Sequence, residues 1–231
     1  MRAARLRATV PGVLAGPFHL PLLFDFTATF LFALTGAIAG VKKRYDLVGI
    51  SVLALVTGLG GALLRDGLFL QQGPPAVFTD GRYLVFVLGG TAAGVAFARH
   101  AHRLHILFAL ADALALGAYG VVGTQKALAA ALPVLPSALI GVVNAVGGSV
   151  LRDVLVREGP LLFRPGEFYA VAALAGCTSF VALSVGVRLP SSLAAVVAIG
   201  VAFAARILSV TLGWRTGALT SDEPWQEPPR R

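Results

Sequence analysis

Thr57-Gly58-Leu59-Gly60-Gly61-Ala62-Leu63-Leu64-Arg65-Asp66 places three glycines, then an adjacent cation and anion, in one apolar segment. An uncharged run from Leu47 to Leu64 leads into it. If Asp46 marks one edge of a bilayer, Gly58 to Gly61 fall near its middle, at about 1.5 Å of rise per helical residue. Glycine inside a helix costs about 1 kcal/mol relative to alanine. An ionised residue at membrane depth costs roughly 2.5–3.5 kcal/mol on insertion scales. Plain spanning requires neither. The pattern then recurs as Val143-Asn144-Ala145-Val146-Gly147-Gly148-Ser149-Val150-Leu151-Arg152-Asp153. A doubled, glycine-interrupted, charge-bearing helix points to a permeation or substrate site.

Working outward, the composition fits a polytopic membrane protein. Of the 231 residues, 57% are hydrophobic and 13% charged, and the mean hydropathy is +0.81. The apolar runs are too long and continuous for a soluble α/β core. The net charge of +8 would suggest nucleic acid in a soluble chain. Here the basic residues sit between apolar runs, where membrane orientation uses them, so no nucleic-acid partner is expected. The lone Cys177 excludes an intramolecular disulfide.

Seven spans are predicted, at about Leu22–Val41, Leu47–Leu70, Tyr83–Ala98, Leu104–Gln125, Pro133–Val156, Phe168–Val187 and Pro190–Gly213. Residues 1–20 read as an uncleaved basic tail, because Pro11, Gly12 and Pro17 interrupt its apolar part. Residues 214–231 read as a polar, Pro-rich disordered tail.

A shift of 87 lays Asp25 on Asp112, Gly36 on Gly123, Gly60-Gly61 on Gly147-Gly148 and Arg65-Asp66 on Arg152-Asp153. A shift of 86 then matches Gly73-Pro74 to Gly159-Pro160 and Tyr83 to Tyr169. Three spans per copy force the second copy to insert upside down. The predicted fold is therefore an all-α integral membrane protein of two inverted three-helix repeats (21–99 and 104–187), plus a seventh helix at 190–213. The odd-numbered connections and C-terminal tail carry ten Lys and Arg, against six on the other side. That predicts an external N-terminus and a cytoplasmic C-terminus.

The glycines Gly58, Gly60, Gly61, Gly147 and Gly148 have two readings. One is close helix packing. The other is a kink in the second and fifth helices whose freed carbonyls line a wet path. Their duplication at matched depth favours the kink. Thr57, Asn144 and Ser149 add polar groups that suit replacing part of a cation's hydration shell.

Arg65-Asp66 and Arg152-Asp153 are expected to pair across helices, since neighbours on a helix do not face one another. Asp25 and Asp112, each in the first helix of its copy, could bias a path toward cations. Tyr83 and Tyr119 are candidate partners for them, or members of an interfacial aromatic belt. Gly36–Gly40 and Gly90–Gly94 are GxxxG pairs that suit packing within or between subunits. His100, His102 and His105 read as a solvated loop, so no metal is expected. No nucleophile-and-base spacing, P-loop, zinc-protease or dinucleotide motif is present, so neither an enzyme nor a cofactor is indicated.

These residues resemble the trimeric intracellular cation (TRIC) channel family, in its prokaryotic branch. The likeness runs from Phe24-Asp25 through Thr35-Gly36-Ala37 to Gly40, then Asp46-Leu47-Val48-Gly49 and Thr57 to Gly61 with Leu64-Arg65-Asp66. It includes the second copy at Gly147-Gly148 and Leu151-Arg152-Asp153. The resemblance implies a homotrimer in membrane lipid, with one pore per subunit bounded by the kinked second and fifth helices. It implies potassium conduction, with sodium also permeant and bound lipid possible. The basic Lys-Glu-Val motif of animal members is absent, and Lys126 is the only basic residue nearby. Bacterial relatives with the same motifs also look like glycine transporters, which leaves a small amino-acid carrier as the alternative.

Overall fold

The computed structural model describes residues 20–98, 104–163 and 168–213. The two tails and the side chains of His100, His102 and His105 lie outside the described residues.

Helices occupy all seven apolar stretches. α1 (Leu22–Lys42) and α2 (Leu47–Leu64) come first, then a single helical turn, α3 (Ala76–Thr79), and α4 (Arg82–Ala98). α5 (Leu104–Ala129), α6 (Val134–Leu155), α7 (Tyr169–Val181) and α8 (Ser191–Leu212) follow. Local chemistry fixes several starts. Asp46 caps α2 by accepting the Gly49 N–H at 2.8 Å. Proline stands immediately before α1, α3, α6 and α8, where a helix needs no N–H.

Among the described residues, five helices are long and apolar enough to cross a membrane: Leu22–Lys42, Leu47–Leu70, Val134–Leu155, Tyr169–Gly186 and Ser191–Leu212. Their outward faces carry Val52, Leu139, Val196 and Val201, all exposed. Contiguous apolar surface of this kind suits lipid rather than water. The chain is an all-helical integral membrane protein.

α2 and α7 each run on into a π-helical segment, at Arg65–Leu70 and Ala182–Gly186. The first explains a detail of the repeat. The change of shift from 87 to 86 gives the first copy one extra residue between Asp66 and Gly73. An i→i+5 turn takes up one more residue than an α turn, and π segments typically absorb such insertions. The left-handed residue that ends each arm is accordingly Gln71 in one copy and Arg157 in the other. The turns after α1 and α5 also match, with left-handed Arg44 and Ala131 at the full shift of 87.

α1 packs on α2, α4 and α5; α5 packs on α6, α7 and α8; α2 packs on α6. At the centre, the repeat-equivalent Phe32 and Tyr119 stack with ring centroids 5.2 Å apart. The long helices alternate in direction, so Lys42, Lys43, Phe108, Arg152 and Arg206 gather at one end of the bundle. Asp66, Thr79 and Lys126 gather at the other.

Candidate permeation site

The site is built on the crossing of α2 and α6. A Cβ on Gly61 would strike the carbonyl oxygen of Asn144, and one on Gly148 would strike that of Thr57. Glycine lets the two backbones touch, and in lipid such contact is the main source of helix association. The expected helix break is not seen as a loss of helical bonding here. Both helices run as α-helix through Gly58–Gly61 and Gly147–Gly148, and the change of winding falls at Arg65. Thr57, Gly60, Gly61, Asn144, Gly147 and Gly148 come together at the crossing and are buried, whereas Gly58, also buried, faces Thr29 and Ala33 of α1. Ser149 turns away, bonded to Val146 O at 2.8 Å and accepting from Tyr169 Oη at 3.0 Å. Thr57 Oγ1 donates to Leu53 O on its own helix at 2.6 Å.

The GxxxG pairs are used within the chain. Gly36 and Gly40 meet α2 at Ala54, Thr57 and Ile50, while Gly90 and Gly94 meet the backbone of α1.

About five residues beyond the crossing, each helix reaches its Arg-Asp dipeptide. Here one expectation is corrected, because both dipeptides are internal ion pairs. Arg65 grips Asp66 with Nε to Oδ1 at 2.6 Å and Nη2 to Oδ2 at 2.9 Å. Arg152 Nε meets Asp153 Oδ1 at 2.9 Å. The rule that neighbours diverge describes the Cβ direction. A guanidinium on a long side chain folds back over the roughly 3.8 Å between adjacent Cα atoms.

Cross-helix contacts exist as well. Arg152 Nη1 reaches Asp112 Oδ1 on α5 at 3.3 Å and Thr35 Oγ1 on α1 at 3.2 Å. Arg65 Nη1 reaches Asn144 Oδ1 on α6 at 3.4 Å. Both guanidiniums are almost wholly buried, at 0% and 2% exposed. That burial is sustained only because each is paired and hydrogen-bonded.

Asp25 and Asp112 lie at opposite ends. Asp25 Oδ2 accepts from Tyr83 Oη and from Lys126 Nζ, both at 2.7 Å. Its Oδ1 is buried with no hydrogen-bond partner among the described residues. Tyr83 and Tyr119 are therefore core residues and not an aromatic belt, at 1% and 0% exposed. Tyr119 ties α5 to three other helices: its hydroxyl meets Thr29 Oγ1 and donates to Gly58 O, and its carbonyl accepts from Asn144 Nδ2. Sequence reasoning missed the roles of Lys126 and Thr35, and the place of Arg206 over the Tyr169 ring, 4.9 Å from its centroid. Tyr169 had a signal, its repeat match to Tyr83.

Two pockets open from opposite ends. One, of about 340 Å³, is lined by Asp66, Gln72, Pro74, Thr79, Lys126 and Ala129 among others. The other, of about 310 Å³, is lined by Lys42, Lys43, Ala109, Asp112, Arg152, Asp153 and Arg206 among others. The first is lined by Asp66 of one Arg-Asp dipeptide and the second by both Arg152 and Asp153 of the other, and the glycine crossing lies between them.

Known proteins share this plan. The family model described as Glycine transporter matches residues 22–99 and 109–185. A UPF0126 membrane protein of Deinococcus radiodurans is 35% identical over 153 residues, covering 66% of this chain and 71% of that protein. The UPF0126 inner membrane protein YadS of Escherichia coli K12 is 32% identical over 186 residues, covering 78% and 89%. The solved TRIC trimeric intracellular cation channel orthologue from Rhodobacter sphaeroides superposes with a TM-score of 0.78 at 31% identity, covering 83% of this chain and 97% of that one. The chain belongs to the bacterial, TRIC-related membrane protein family whose model is described as Glycine transporter.

Proposed function

We propose that this protein is a monovalent-cation channel, permeable to potassium and to sodium, with one pathway through each subunit of a homotrimer. The likeness to TRIC channel structures supports the channel reading. The observation that carries it in this chain is the pair of pockets entering from opposite ends, with the α2–α6 glycine crossing between them. In this reading all seven long helices span the membrane. α1, α2 and α4 form one copy, α5, α6 and α7 the inverted second, and α8 is an addition. The N-terminus lies outside and the C-terminus in the cytoplasm, as the Lys and Arg distribution favours.

The path opens by separation of α2 and α6 at Gly58–Gly61 and Gly147–Gly148, which exposes backbone carbonyls together with Thr57 and Asn144. Asp25 and Asp112 favour cations, Asp25 through its unengaged buried oxygen. Ser149 holds Tyr169 at the wall. The Arg-Asp clusters stay internally neutralised, so the arginines do not repel the permeating ion. No cofactor is required, and lipid contacts the outer faces. A non-conducting scaffold assembled through the GxxxG faces is disfavoured, because those faces already pack against helices of the same chain.

A second reading, a small amino-acid carrier, is favoured by the Glycine transporter family match. One pocket also presents Lys126 and Asp66 together, a cation and an anion that suit a zwitterion. Planar-bilayer recording under a potassium chloride gradient tests the channel reading. It expects a current reversing toward the potassium equilibrium potential. Reversal toward chloride, or no conductance at all, would reject it.

A further inference from the structure

The two pockets are related by the repeat, but the loops beside them are not held alike. After α6, the segment 157–163 runs past the pocket that contains Asp112 and Arg152 and contributes Glu158 and Leu161 to its lining. Among the bonds that fasten it, two involve residues whose repeat counterparts differ. The Leu161 N–H donates to Asp153 Oδ2 at 3.1 Å. Lys43 Nζ, from the α1–α2 connection, meets Glu158 Oε1 at 2.8 Å across the mouth, with both side chains partly exposed. In the other loop both fastenings are ruled out by residue type. At the shift of 86, Pro75 stands where Leu161 stands, and proline has no N–H to give. Lys43 corresponds to Ala130 at the shift of 87 and Glu158 to Gln72 at the shift of 86, so no ion pair can form.

We propose that segment 157–163 is a lid latched over the Lys43 end of the pathway, held by Lys43–Glu158 and by Asp153–Leu161, while the Lys126 end has no latch. Access to the Asp112–Arg152 pocket is then controlled separately from the glycine crossing. The latch also weakens as salt screens its exposed pair. This concerns entry to a pocket and holds whichever solute the protein carries.

The test measures modification of a single cysteine by a membrane-impermeant thiol reagent, in full-length Cys177→Ala protein reconstituted in liposomes. Ala109→Cys reports the latched pocket, and Ala129→Cys the unlatched one. Glu158→Lys should speed labelling at 109 roughly two- to fivefold. That ratio equals about 0.4–1 kcal/mol at 1.4 kcal/mol per factor of ten, the range of an exposed pair. The swap Lys43→Glu with Glu158→Lys should restore the slow rate. Leu161→Pro, which copies the other loop, should speed labelling at 109 more than Leu161→Ala, which keeps the N–H. Labelling at 129 should not change in any of these. Equal rates at 109 across the set, or no rescue by the swap, would overturn the latch.

Discussion

Gly61 of α2 lies directly against the carbonyl oxygen of Asn144 in α6, with no room for a Cβ. Gly148 stands in the same relation to Thr57. The two contacts exchange the roles of the helices, as a two-fold relation between the repeats requires. Each copy offers a glycine to the other's backbone. Gly148→Ala should therefore push the helices apart at a cost of about 1–3 kcal/mol, the range for overpacking. Gly200→Ala on α8, where nothing lies within 4 Å, should be neutral or stabilise by up to about 1 kcal/mol. Thermal melting of the two variants in the same detergent checks the contrast. Equal melting temperatures would mean that the glycines are not the point of contact.

The arginines should differ in the cost of their removal. Arg152→Leu strands Asp112 and Asp153, whose side chains are 3% and 8% exposed. Removing one member of a buried pair costs about 3–5 kcal/mol, and lost expression or assembly is the expected outcome. Arg65→Leu leaves Asp66, at 14% exposed and facing a pocket, so it should be the milder change. Folded yields and melting temperatures in that order check the account.

Asp25 depends on two donors to one oxygen. Tyr83→Phe removes a bond to a buried carboxylate and should cost about 1.5–3 kcal/mol. Lys126→Met leaves that carboxylate without its cation and should cost at least as much. Thermal melting of both variants reads the difference, and an unchanged Tyr83→Phe protein would contradict the hydrogen bond.

Lys43 and Ala129 lie at opposite ends of the bundle. Cysteines placed there should react with an impermeant reagent from opposite sides of the membrane, with Lys43→Cys labelled from the cytoplasm. Labelling from one side would contradict the inverted arrangement.

Much of this was legible before any coordinates. Each predicted apolar run coincides with a helix among the described residues, because nothing in the sequence competes with that signal. The shift of 87 aligned Asp25 with Asp112 and the Arg-Asp dipeptides, whereas its slip to 86 had no explanation until the π turn at Arg65–Leu70 was seen. What stayed hidden was orientation around each helix. Periodicity places Arg65 and Asp66 on diverging directions, but it says nothing of a long side chain folding back. Lys126 has Ala39 as its repeat counterpart, so the repeat gave no hint that it would bond Asp25. The glycines read as breaks because their cost in a helix is plain from sequence. Their benefit, a carbonyl of the other helix at touching distance, exists only in three dimensions.

The central claim is cation passage between the two pockets, and parallel flux through the purified protein in liposomes tests it most directly. Potassium efflux and uptake of labelled glycine would be followed under the same gradients, with Gly148→Ala as a comparison. The account predicts potassium flux well above protein-free vesicles, no glycine uptake beyond background, and a changed potassium flux in the variant. Glycine uptake without potassium flux would contradict it and establish the carrier instead.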